Sequence, residues 1–388
     1  MKEIKNALGT WAWGAILFLL SLPKDSTEIQ TMRKTLIITI MTAIALNASA
    51  QIDLHSHAIT KGYLDYIKAN DAEMDEGFPI PAWDAEQHIA FMDKAGIQTA
   101  VLTMPAPQPW FGDAEASAAV CRSYNEECAA LKARYPGRFM FCAALPLPDV
   151  DAAIREAVYA LDTLKADGIK LATNVNGQYL GVPELDTLKA DGIKLATNVN
   201  GQYLGVPELD TLFSVLNERG AVVILHPHRP EPVNRQVMQQ TPLAMQEYLS
   251  ETTRAVANMI SRNVLARYPQ VKVVVPHCGA YLPLAVPRMK SLTAVMQANK
   301  MVGEIDWQAN LSSLYYDLAG AHSPEVIRMM LTITTPDHLL YGSDYPYVAP
   351  QVLVNGLQRM QQYLTDKPDL EPYKEMILYR NALKLFHK

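Results

Sequence analysis

Cysteine is scarce in this 388-residue chain: Cys121, Cys128, Cys142 and Cys278 are all there is, with no C-x-x-C pair among them. That excludes a zinc ribbon and a disulfide-stapled scaffold and leaves buried thiols. Basic charge is also short, 34 Lys and Arg against 40 Asp and Glu, for a net charge of −6. Nucleic acid is thereby excluded as a partner, because binding phosphates requires a basic face. The first apolar run, Trp11 to Leu22, is too short to cross a bilayer comfortably. What the chain does have is ordinary globular composition, 49% hydrophobic and 19% charged. That is ample for a large core, in one large domain or two of average size.

From Met32 the sequence reads Met-Arg-Lys, then an apolar run from Thr35 to Leu46, then Asn47-Ala48-Ser49-Ala50. A basic start, a short apolar core and small residues before a cut describe a secretory signal peptide over 32–50. Cleavage after Ala50 starts the mature chain at Gln51 and makes the protein exported, periplasmic or secreted. Residues 1–31 then read as an extension ahead of the true start at Met32. The alternatives are a buried N-terminal helix, or a chain that stays cytoplasmic or membrane-anchored.

Gln51 to His57 (QIDLHSH) is strand-like and ends in His-x-His. Residues i and i+2 of a strand point to one side, so His55 and His57 present two imidazoles together. Taken alone, the pair reads equally well as surface histidines beside a turn. Downstream, apolar strand-like runs end in His226, in His277 and at Asp344, and helical spacing fills the intervals. A polar loop is expected from His57 to about Pro81, and helices over 83–95, 114–135 and 150–166. The alternation implies a parallel sheet, and its repeat of roughly thirty residues points to a (β/α)8 TIM barrel over residues 51–388. All strand C-termini of such a barrel share one face, so these five nitrogen and oxygen donors converge. Three or four imidazoles and a carboxylate suit zinc or a similar divalent ion. Such an ion activates water and polarises a substrate oxygen. Asp344 can ligate it and take a proton, and a histidine beside it can shuttle protons near neutral pH.

The other histidines read more blandly. His228 is a pocket residue, His338 is structural, His322 lies at the pocket rim, and His88 and His387 are solvated. Arg288 reads either as a substrate-carboxylate ligand or as half of a surface salt bridge.

Residues 161–184 (LDTLKADGIKLATNVNGQYLGVPE) recur without a change as 185–208. Two copies are too few for a solenoid. A tandem duplication around the fourth strand of a barrel leaves room for one copy, so the other is expected to be displaced.

Six motifs, IDLHSH (52–57), GIKLATNVNG (168–177), ILHPH (224–228), PHCGAYLPLAVPRM (276–289), YGSDYP (341–346) and NALKLF (381–386), carry a resemblance. With their order and spacing, the chain resembles the amidohydrolase superfamily, in the branch that includes aminocarboxymuconate-semialdehyde decarboxylase. The resemblance implies one divalent ion, usually zinc, on His55, His57, His226 and Asp344, with His277 as proton shuttle. It implies a small-molecule carboxylate as substrate, bound by Arg288, in some relatives across a homodimer interface. The activity it implies is a decarboxylase-like carbon–carbon lyase acting on a small unsaturated or aromatic acid. The alternatives are a metal-dependent hydrolase of a small amide, lactone or ester, and a chain without activity.

Overall fold

A computed structural model describes residues 51–388, except 75–76, 78, 147–148, 171–191, 197, 200–201, 204–212, 214–216, 218–219, 221, 228–240, 322 and 387–388. The readings of residues 1–50, of His228, His322 and His387, and of most of the repeated segment lie outside the described residues.

Short apolar runs make the strands of the main sheet. They are β1 (Gln51–His57), β2 (Ile97–Thr103), β3 (Phe139–Ala144), β4 (Gly168–Lys170), β5 (Gly192–Ala196), β6 (Val222–His226), β7 (Lys272–Val275), β8 (Leu314–Asp317) and β9 (Leu339–Leu340). Among the described residues they form one sheet in the order β1 to β9, and the ladders between neighbours are parallel. Sequences such as VVILH and KVVV are β-branched and buried along nearly their whole length. That is what a parallel strand covered on both faces requires. Alternate residues divide between two apolar clusters: Val222 and Ile224 join one, Val223 and Leu225 the other. Ala382 and Leu385 of the last helix pack against the first cluster.

Helices between the strands include α1 (Lys61–Ala69), α2 (Ala85–Ala95), α3 (Ala114–Arg134), α4 (Val150–Asp162), α5 (Glu247–Ser261), α6 (Leu282–Ala298), α7 (Pro324–Met330), α8 (Pro350–Asp366) and α9 (Asn381–Phe386). The starts of α2, α3 and α4 share one device. Asp84, Asp113 and Asp149 each accept a hydrogen bond from a backbone N–H of the first turn, at 2.9–3.0 Å. Such a cap typically contributes about 1 kcal/mol. Helix α1 corrects the expected polar loop. Tyr63, Leu64, Tyr66 and Ile67 recur at helical spacing, with Tyr63 and Ile67 buried and Leu64 and Tyr66 packed against the core.

The first strand and the segment after the last meet. Leu54 N–H donates to the Tyr341 carbonyl at 3.2 Å and His57 N–H to the Tyr345 carbonyl at 2.8 Å. Ser56 and Tyr345 form a parallel bridge. Gly342 makes this approach possible, since a Cβ there would lie 2.9 Å from Cβ of His55.

The repeat departs from the expectation of eight strands with one copy displaced. Both copies contribute a strand, β4 and β5, and the sheet has nine strands among the described residues. The two pair in parallel with Ile169 opposite Ile193 and Lys170 opposite Lys194, an offset of one repeat. Identical segments have identical strand preference, and pairing satisfies backbone groups that a displaced copy would leave to solvent.

Candidate metal centre

The C-terminal ends of the strands gather the predicted donors. His57 and His226 are the last residues of β1 and β6, His277 follows β7, and Asp344 follows β9. His55 and His57 are fully buried, while His226 and His277 are half-buried. Ring centroids lie 5.3 Å apart for His55 and His57, 5.2 Å for His57 and His226, and 5.2 Å for His55 and His277. Donor atoms of His55, His57 and His226 fall within 4.8 Å of one another, as do those of His55, His277 and Asp344. Asp344 bridges the groups. Its Oδ1 lies 3.4 Å from Nε2 of His55 and 3.5 Å from Nε2 of His57, and its Oδ2 lies 3.7 Å from Nε2 of His277.

What faces each Nδ1 sets the tautomer. Nδ1 of His55 lies 3.0 Å from Oδ2 of Asp317. Nδ1 of His57 lies 2.9 Å from Oγ1 of Thr103, whose own proton goes to the Ser56 carbonyl at 3.0 Å. Nδ1 of His226 lies 2.7 Å from the Pro227 carbonyl. A carboxylate, a hydroxyl already donating, and a carbonyl can each only accept. All three rings therefore carry their proton on Nδ1 and leave the Nε2 lone pair for another partner. Nε2 of His55 is buried without a hydrogen bond among the described residues. A buried polar atom left that way is costly unless something occupies its lone pair. Three neutral imidazoles and one carboxylate fit a divalent ion.

The electrostatics agree. Burial disfavours a proton on His55, but Asp317 and Asp344 outweigh it and raise its pKa to about 9. An environment that favours one positive charge there also favours a divalent cation in the proton's place. Burial works against the charge of Asp344 as well, yet contacts from His277, His55 and His57 hold its carboxyl well below the usual range. Both His277 (φ 53°) and Asp344 (φ 64°) take left-handed backbone conformations, a strain found at sites that hold a side chain in place.

A cavity of about 680 Å³ opens onto this cluster. His226, His277 and Asp344 form part of its wall, and Ile80, Pro107, Leu249, Val326, Met329 and Val348 make much of the rest apolar.

Comparison with known proteins agrees with this geometry. The family model described as amidohydrolase matches residues 52–388. The chain belongs to the amidohydrolase family. A decarboxylase of Aspergillus niger is 31% identical over 87% of this chain and 87% of its own length. The 6-methylsalicylic acid decarboxylase of Penicillium expansum is 27% identical, over 87% of this chain and 96% of its own. A dihydroxybenzoic acid decarboxylase from Polaromonas, solved with bound manganese and 2-nitroresorcinol, superposes with a TM-score of 0.65 at 19% identity. The match covers 87% of this chain and 96% of that one and is a likeness of fold. The expected decarboxylase-like lyase agrees with these relatives.

In this amidohydrolase chain the five predicted donors come together, and two further carboxylates join them. Asp317 ends β8, is fully buried, and holds His55. Asp53, also buried, accepts from Ser343 Oγ at 2.5 Å and Ser343 N–H at 3.0 Å, tying β1 to the segment that carries Asp344. Burial pushes its carboxyl up to about 7 against those hydrogen bonds. The run LYYDL carries for Asp317 the same strand-end signal that marks Asp344. His88 corrects the solvated reading. It is buried, 4.3 Å from the ring of Tyr345, and burial followed by the charge of Arg138 lowers its pKa to about 3. Trp83 Nε1–H donates to its Nδ1 at 3.2 Å from five residues away, while the ring of Tyr345 that covers it comes from the far end of the chain. Arg288 is exposed on α6 and is not among the described residues that line the cavity. His338 stacks on Tyr315 at 4.4 Å, as a structural residue would.

Proposed function

We propose that this protein is a metal-dependent decarboxylase of a small aromatic carboxylic acid, built on a sheet closed as a barrel. The observation that carries the reading is an apolar cavity whose polar wall includes His226, His277 and Asp344. Apolar walls suit a ring, and a few convergent polar groups fix its orientation.

His55, His57, His226 and Asp344 would hold one divalent ion, with zinc favoured by three imidazoles and a carboxylate. When bound, the ion supplies positive charge that orients the acid's oxygens and stabilises negative charge developing on them. The chain's own work is proton handling. Nε2 of His277 and Oδ2 of Asp344 lie 3.7 Å apart in the cavity wall, where His277 would pass the proton to the ring carbon and Asp344 would take part beside it. The bond from ring carbon to carboxyl breaks, and its electron pair stays on the ring carbon. That carbon takes the proton, and CO2 leaves. The apolar walls keep bulk water from competing as the proton source. Arg288, being exposed, reaches a substrate carboxylate only in a homodimer that brings it to a neighbour's cavity. His228 belongs to this proposal as a pocket residue.

The test is a panel of aromatic acids, amides, lactones and esters offered to the metal-loaded protein. The reading expects CO2 and a ring product lacking the carboxyl. Release of a new carboxylate from an amide, lactone or ester without CO2 would make the protein a hydrolase instead.

A further inference from the structure

Asp317 serves neither as a predicted ligand nor as part of the cavity wall, yet it touches both halves of the site. Its Oδ2 lies 3.0 Å from Nδ1 of His55. Its Oδ1 accepts from the backbone N–H of His277 at 3.0 Å and from that of Ala319 at 3.1 Å. The turn that begins at His277 is unusual. His277, Cys278, Gly279 and Ala280 have φ of 53°, 55°, 67° and 53°, four left-handed residues in succession, of which only one is glycine. Such a turn persists only where its surroundings fix it, and the hydrogen bond from His277 N–H to Asp317 is one such constraint. Gly279 leaves little slack, since a Cβ there would lie 3.0 Å from the ring of Tyr316.

We propose that Asp317 is a positioning residue that sets the tautomer of His55 and, through its other oxygen, holds the strained turn that aims His277. The proposal rests on the metal reading for the His55 half alone. Both jobs need an acceptor, and a carboxylate offers one on each oxygen. An asparagine offers one acceptor and one donor. Facing its oxygen to the two backbone N–H groups satisfies more partners, so its NH2 would face His55. The proton of His55 would then sit on Nε2, the atom meant for the ion.

Asp317→Asn and Asp317→Ala separate the two jobs, with zinc as the probe in competition with a chelating dye and amide hydrogen exchange as the second readout. Asp317→Asn is expected to weaken zinc binding by about 10–100-fold, the usual loss when the partner of a metal-binding histidine is changed. Exchange of the peptide over 276–281 should stay as in the wild type. Asp317→Ala should weaken zinc and also speed exchange in that peptide, with the rest of the sheet unchanged. Thr103→Val, which removes the acceptor of His57, should weaken zinc without touching the 276–281 peptide. Wild-type zinc affinity in Asp317→Asn would overturn the tautomer half. Unchanged exchange in Asp317→Ala would overturn the turn half, as would faster exchange throughout the chain. If Asp317→Ala does not fold, slowed exchange at 276–281 relative to Asp317→Ser decides the same point in the wild type. No substrate enters these measurements, so failure of the decarboxylase reading is seen separately.

Discussion

His57 and His277 carry the same side chain, and their surroundings give them different work. The ring of His57 is buried, its Nδ1 is committed to Thr103, and its Nε2 faces Asp344 at 3.5 Å. His277 is half-buried in the cavity wall, with Nε2 toward the far oxygen of Asp344. His57→Ala is therefore predicted to lose stoichiometric metal and turnover together. His277→Ala should keep the ion and turn over about 10²–10⁴-fold more slowly, as expected for loss of a proton-transfer group. Metal analysis beside kcat checks both, and metal loss in His277→Ala would make that residue a ligand. These donors were legible in the sequence because each follows a short apolar run, and parallel strands bring such ends together. Asp53 and Asp317 were harder to read, because their partners Ser343 and His55 lie 290 and 262 positions away. Distance in sequence hides a pairing even when each residue type is visible.

At the scale of elements, the duplicated strand is the departure. Strand β4 pairs with β3 and β5 pairs with β6, and the two copies pair with each other. Removing residues 185–208 would leave GIKLA of the first copy to pair with β6 exactly as its twin does now in sequence terms, since the residues are identical. No proposed ligand lies in the deleted stretch. The deletion variant is predicted to bind one ion per chain and to melt no lower than the full chain, measured by metal titration and by Tm. A lower Tm or a lost ion would show that nine strands are needed. The regular helices were legible from apolar spacing. Helix α1 was missed although Tyr63, Leu64, Tyr66 and Ile67 share its spacing, because that apolar set spans a single turn between polar stretches. The strand count was not, because period and propensity are the same for two identical copies.

For the whole molecule, strand β1 opens at Gln51, ahead of the metal-site histidines His55 and His57. The proposed signal peptide ends immediately before it. The mature native protein is predicted to begin at Gln51, read by N-terminal sequencing or intact mass, and a cytoplasmic chain retaining Met32 to Ala50 would contradict export. No helix among the described residues is long and apolar enough to cross a membrane. One ion, one cluster of donors and one reaction belong together in the proposed decarboxylase. The most direct measurement is labelled CO2 release from carboxyl-labelled aromatic acids by the metal-free chain, as a divalent ion is titrated in. No release is expected at the start, followed by a rise that levels off at one ion per chain. Release from the metal-free chain, or a plateau that needs two ions, would contradict the proposal.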